Sequence, residues 1–165
     1  MVTIRLGTSE DILPAQQLND LEVPRVNALS TADFRHLLLN VSDHFWVAMI
    51  DGVWSGFAVT LCPDRPYDSI NYRWFSERYT NYLYLDRIVV AAAARRKGVG
   101  RALYQRVFET AASLGAEHVL CEVNAIPANP ISARFHAQLG FLEIGRRRNS
   151  PDKEVIFLAR DMMGS

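Results

Sequence analysis

The segment from Tyr82 to Gly115 leaves this chain few ways to fold. Tyr82 to Val90 is an apolar run rich in β-branched and aromatic residues and reads as a strand. After Ala91 to Ala94 comes Arg95-Arg96-Lys97-Gly98-Val99-Gly100, and Ala102 to Leu114 then carries Leu103, Val107, Phe108 and Ala111 at helical spacing before Gly115 stops it. Strand, glycine loop, helix is the result. A loop entering a helix in this way presents backbone N–H groups without intrahelical partners, and Gly98 and Gly100 carry no Cβ to block a close approach. The helix dipole adds about 0.3–1 kcal/mol for a nearby negative group, and Arg95, Arg96, Lys97 and Arg101 add positive charge. A diphosphate fits such a nest best. By themselves these residues also fit a glycine turn with a solvated basic flank.

The rest of the chain supplies the elements around this unit. Val2 to Leu6 alternates as a short strand, and Thr8 or Ser9 opens a helix to about Asp20. Ser30 with Asp33 resembles a capping box ahead of a second helix through His36 to Leu39. His44 to Ile50 and Val53 to Leu61 flank Asp51-Gly52, a hairpin signal. Cys62 to Asn81 breaks the pattern with two prolines and Tyr67, Tyr72, Trp74, Phe75 and Tyr79, and reads as a functional insertion. His118 to Val123 is a strand, Asn129-Pro130 opens a helix through Leu139, and Phe141 to Gly145 and Glu154 to Arg160 are two final strands. Arg146, Arg147 and Arg148 between them read as a solvated turn. The expected fold is α+β, one domain over 1–165, with helices around a mixed sheet.

Charge excludes several partners. Lys plus Arg equals Asp plus Glu at 18 each, so no global field favours nucleic acid or an anionic membrane. No run approaches the ~18 apolar residues of a membrane span, and the two cysteines, Cys62 and Cys121, fit neither a CxxC motif nor a disulfide framework. Two free thiols and a cytoplasmic location are the expectation.

Neither the GxxxxGK[ST] P-loop nor a Rossmann GxGxxG is present, since Leu103 stands where the latter needs a third small residue. Arg95-x-x-Gly98-x-Gly100 instead resembles the R/Q-x-x-G-x-G/A loop of the GNAT superfamily of acetyl-CoA-dependent N-acetyltransferases. Leu85-Asp86-Arg87-Ile88-Val89-Val90 is similar to that family's fourth strand, and Asn129-Pro130-Ile131-Ser132-Ala133-Arg134-Phe135-His136-Ala137-Gln138-Leu139-Gly140-Phe141 to its asparagine-to-GF helix. These segments cover the C-terminal half. The N-terminal half agrees in element order only.

The resemblance implies a mostly antiparallel twisted sheet whose fourth and fifth strands splay apart around acetyl-CoA, the acetyl donor. The cofactor's pantetheine arm would pair with the backbone of Ile88, Val89 and Val90, in the manner of an added strand. Its diphosphate would lie on the loop from Arg95 through Arg96, Lys97, Gly98, Val99 and Gly100 to Arg101, and Asn129 would hydrogen-bond the arm. No metal is implied. The acceptor would be a primary amine on a small molecule or peptide, and the family's frequent dimers make a homodimer an expectation.

An amine with a pKa of ~10.4 costs about 4.6 kcal/mol to deprotonate at pH 7, so a base has value. Asp86 and Glu122 are the candidates; for Asp86 the alternative is a salt bridge with Arg87. His136 stands where many family members carry a tyrosine that protonates the departing thiolate, and is either that acid or a packed helix histidine. Tyr72, Trp74, Phe75 and Tyr79 are candidates to wall the acceptor pocket, the other reading being a satellite hydrophobic cluster. Cys121 lacks an activating base, which favours direct transfer over an acyl-enzyme. A non-catalytic acyl-CoA-binding sensor is the alternative that the departure at His136 leaves open.

Overall fold

Asp51 and Gly52 both adopt positive φ (48° and 82°), the backbone a two-residue hairpin demands, and so join β2 (His44–Ile50) to β3 (Val53–Leu61). This computed structural model describes residues 1–162. β1 (Val2–Leu6) pairs antiparallel with β2. Beyond β3 the sheet continues through β4 (Tyr82–Val90), β5 (His118–Ile126), β7 (Lys153–Asp161) and β6 (Leu142–Ser150), giving seven strands in the order β1-β2-β3-β4-β5-β7-β6. Every pairing is antiparallel except β4 with β5. The fold is α+β, a mixed and mostly antiparallel sheet flanked by helices.

Alternation along the strands builds two cores, one per sheet face. Leu83 and Leu85 of β4, with Val119 and Cys121 of β5, pack beneath Leu103, Val107 and Ala111 of α4 (Val99–Leu114), and Phe141 following α5 (Pro130–Gln138) joins them. Tyr82 and Tyr84 face the other way, toward Ile12 and Leu18 of α1 (Ile12–Leu21), Phe34 of α2 (Thr31–His36) and Phe75 of α3 (Ile70–Ser76). Ser30 Oγ accepts the Asp33 N–H at 3.1 Å, the cap implied by their spacing. No helix of the described residues is long and apolar enough to cross a membrane.

Two elements depart from the sequence reading. The segment from Cys62 to Asn81 contains α3, capped by Ser69 Oγ on the Tyr72 N–H at 3.2 Å, and seven residues are too few to display a helical period. Arg146, Arg147 and Arg148 lie in β6, opposite Ile156, Val155 and Glu154, and form no turn. Charge masked their strand character: Arg146 and Arg148 pair with Glu154 on the exposed side, while Arg147 reaches back to the Ile70 carbonyl at 3.1 Å.

At Gly56 the approach of β4 to β3 leaves no room for a side chain, since a Cβ there would stand 2.6 Å from the Val89 carbonyl oxygen. Backbone cannot yield as a side chain does. Gly56→Ala is expected to lower stability by about 1–3 kcal/mol in chemical denaturation, the usual cost of overpacking; an unchanged midpoint would show that this contact does not constrain the sheet.

Candidate active site

β4 and β5 are paired over three residues only, Tyr82 with His118, Leu83 with Val119 and Tyr84 with Leu120. Beyond Tyr84 the strands separate. The cause lies in β4: Val59 of β3 opposes Arg87 and Thr60 opposes Leu85, so Asp86 is the extra residue of a bulge that bends the strand away from β5. From that point β4 keeps β3 on one side and has an open edge on the other. Ala91 donates to Ser55 O at 2.9 Å, so by alternation Val89 also points toward β3, and the N–H and C=O groups of Ile88 and Val90 face the gap. A cleft of about 750 Å³ fills the separation and runs on to the N-terminus of α4.

At that terminus Arg96 and Gly98 take left-handed backbone (φ 63° and 83°), which curls the loop into a concave turn. Ala102 is the first amide to bond back, to Gly98 O at 3.0 Å, so the N–H groups of Val99, Gly100 and Arg101 have no partner among the described residues. A Cβ on Gly98 would meet nothing within 4 Å, which leaves the cradle open to a ligand, and Gly100 packs against Phe135. Arg95, Arg96, Gly98, Val99, Gly100, Arg101 and Asn129 all line the cleft; Lys97 does not. Arg95 is tied to Glu22, and Asn129 Oδ1 accepts the Ser132 N–H at 3.3 Å as the cap of α5. A diphosphate with an amide-bearing arm suits this nest and open edge.

The two carboxylates have unlike surroundings. Asp86 meets Arg87 Nε at 2.6 Å and accepts the Tyr67 hydroxyl at 2.6 Å, with both charged side chains under 5% exposed. Both its oxygens are engaged. Arg87 in turn donates to Asn19 Oδ1 at 2.9 Å and to the Asn27 carbonyl at 3.2 Å, fastening α1 and the α1–α2 connection to the bulge. Glu122 meets neutral donors: the Tyr84 hydroxyl lies 2.8 and 3.0 Å from its two oxygens, and Asn71 Nδ2 is 3.0 Å from Oε1. Removal from water, followed by the charge of Asp86, pushes the Glu122 carboxyl up to about 8.

His136 is buried on α5. Its Nδ1 lies 2.7 Å from the Ser132 carbonyl, which can only accept, so Nδ1 carries the proton and Nε2 accepts the hydroxyl of Tyr104 from α4. Burial pushes the imidazole below its ordinary range, and this tautomer aims no N–H into the cleft. Cys121, also buried, is pushed well above the usual thiol range by loss of solvent and then by the charge of Glu122.

The cleft thus gathers Asp86, Glu122, His136, Ile88, Val89, Val90 and most of the glycine loop. Tyr72, Trp74, Phe75 and Tyr79 lie outside it: Tyr72 and Phe75 are core, Trp74 stacks on Phe157 at 3.9 Å between ring centres, and Tyr79 packs on His118. From the aromatic insertion the cleft receives Ser69 and Asn71 instead. Sequence reasoning also missed Tyr84 and Tyr104, whose hydroxyls serve Glu122 and His136. Polar tips on otherwise apolar helix and strand positions were the available signal.

Residues 14–141 match the model of the acetyltransferase (GNAT) family, and the chain belongs to that family. A comparison with curated proteins gives no match. Among solved structures, the ribosomal-protein-S18-alanine N-acetyltransferase of Escherichia coli is similar at 20% identity over 100% of this chain and 96% of that one, with a TM-score of 0.76. Arabidopsis thaliana NAA60, solved with a bisubstrate analogue, gives 16% identity, complete coverage of both chains and a TM-score of 0.78. YncA of Salmonella typhimurium, a putative acetyltransferase solved with acetyl-CoA, gives 18%, 100% and 96% coverage, and 0.71. These likenesses establish the shared fold.

Removing one partner of a buried ion pair strands the other charge. Arg87→Met is therefore expected to cost about 3–5 kcal/mol in urea unfolding. A loss below 1 kcal/mol would show that Asp86 finds other partners and that the clamp is dispensable.

Proposed function

We propose that this protein transfers the acetyl group of acetyl-CoA to a primary amine by direct attack in a ternary complex, with Glu122 as general base. The observation that carries this reading is a carboxylate ringed by neutral donors, facing a gap between strands that leads to an anion nest. Acetyl-CoA supplies the electrophilic thioester carbonyl and the leaving thiolate. The loop from Arg95 to Arg101 receives its diphosphate, while Ile88 and Val90 offer main-chain donors and acceptors to the arm; Val89 holds the strand in the sheet. Lys97 and Asn129 stand at the margin of this set, the first as long-range charge and the second as the cap that orients α5.

The amine must be neutral when it attacks. Glu122 takes one proton of the ammonium, the neutral amine forms the C–N bond, and as the C–S bond breaks the nitrogen's second proton passes through solvent to the departing thiolate, which leaves as the CoA thiol. Asp86 is better suited to holding the bulge than to accepting a proton, because Arg87 and Tyr67 occupy both its oxygens. His136 in its neutral tautomer orients Tyr104 and packs α5 against α4. An acyl-enzyme on Cys121 is disfavoured by a thiol that resists ionisation in its buried position.

Because the ionised form of Glu122 is the base, kcat/KM is expected to rise with pH through about 8, with no falling limb from His136. Glu122→Gln should lower kcat/KM by roughly 10²–10⁴-fold while calorimetry shows undiminished affinity for CoA. Near-normal turnover in that variant would remove Glu122 from the chemistry. Tight CoA binding with no turnover of any amine by the unaltered protein would instead favour an acyl-CoA sensor.

A further inference from the structure

The charges lining the cleft nearly cancel in pairs. Glu22 is held by Arg95 and Arg25, and Asp86 by Arg87. Arg96 and Arg101 lie at the glycine loop, on the diphosphate side. Two further charged groups that line the cleft have no direct ion pair among the described residues. One is the Glu122 carboxylate, whose hydrogen-bond partners are Tyr84 and Asn71, with the Arg147 guanidinium held behind Asn71. The other is the Lys153 ammonium, whose partner is the neutral Asn27 Oδ1 at 2.8 Å. An acceptor that complements this surface has one amine and one anion.

The register of the sheet sets their separation. Glu122 stands opposite Phe157, and Lys153 lies four residues before Phe157 on the same face of β7, roughly 13 Å along the strand at ~3.3 Å per residue. That separation is too long for the carboxylate of a free α-amino acid, and an extended peptide at ~3.3–3.6 Å per residue brings an acidic side chain on its second or third residue within reach of it. Between the two ends the wall is uncharged, with Asn124 of β5 opposite Val155 of β7. Asn124 spends Nδ2 on the Pro24 carbonyl at 3.2 Å, while its Oδ1 has no partner among the described residues and suits a peptide N–H.

Building on the transferase reading, we propose that the acceptor is the α-amino group of a peptide with an acidic side chain at its second or third residue, the amine directed to Glu122 and the acid to Lys153. Polyamines and polycationic sugars require several carboxylates free of ion pairs, and the cleft has one among the described residues. Proton affinity points the same way. An α-amino group of pKa ~7.7–8.0 passes its proton to a carboxyl near 8 with little bias, whereas a lysine side chain at ~10.4 does so about 250-fold less favourably.

The test is a panel of short peptides with acetyl-CoA, read by thiol release and by mass spectrometry of the acetylated position. The panel holds free amino termini with Glu, Ala or Lys at positions two and three, an N-blocked peptide with one lysine, and spermidine. The acidic peptides should lead, acetylated at the α-amine, by roughly fivefold in kcat/KM over the neutral ones, the scale of an exposed ion pair. Lys153→Glu should abolish or invert that preference through KM, and Lys153→Gln should level it. Equal rates across side-chain charge, an unaltered preference in both Lys153 variants, or faster turnover of spermidine or the blocked lysine peptide would overturn the inference and leave the transferase reading standing. Failure of every amine would overturn both.

Discussion

The structure depends on an interruption: hydrogen bonding between β4 and β5 ceases after Tyr84 and Leu120, and the cleft occupies the space so opened. A sheet does not surrender this pairing without cause, because each unpaired backbone group must find another partner. Here the bulge at Asp86 turns β4 aside, and the buried Asp86–Arg87 pair fixes the bulge to α1 and to the Asn27 carbonyl. A single ion pair therefore shapes the cleft and secures one of its walls. The stranded edge of β4 is then a ready partner for a ligand that carries amides.

The same splay creates two electrostatic environments a short distance apart. At the start of α4, unpaired N–H groups and arginines make a site for negative charge. Along β4 and β5 two carboxylates sit close enough to influence one another; one is neutralised by Arg87, and the other meets only hydroxyl and amide donors. The result is a carboxyl pushed up to about 8 in the same cleft as a nest suited to an anion. Its position is set by residues from three elements: Tyr84 of β4, Asn71 of α3, and Arg147 of β6, which donates to Asn71 Oδ1.

How far the sequence reveals this varies with the range of the interaction. The glycine loop, its helix, the hairpin at Asp51-Gly52 and the cap at Ser30 are local, and local chemistry displays them. The family resemblance carried the splay and the cofactor. Which carboxylate is free was not legible, because Asp86 and Glu122 look alike until Arg87, Tyr67, Tyr84 and Asn71 are placed around them. The two readings of the aromatic insertion could not be separated for a related reason: Tyr72 and Phe75 are core, Trp74 and Tyr79 pack against it, and the cleft receives the less conspicuous Ser69 and Asn71. At His136 the sequence shows an imidazole, but its tautomer depends on Ser132 and Tyr104, the latter 32 residues away on another helix.

On the proposed function, the open edge of β4 receives the arm of acetyl-CoA as a missing strand. Hydrogen exchange resolved at single amides, with and without acetyl-CoA, tests it most directly. The N–H groups of Ile88 and Val90 face the gap and should slow markedly when acetyl-CoA is added, while that of Val89, already directed toward β3, should change little. Equal rates at Ile88 and Val90 in the two conditions, under saturation confirmed by calorimetry, would contradict the account.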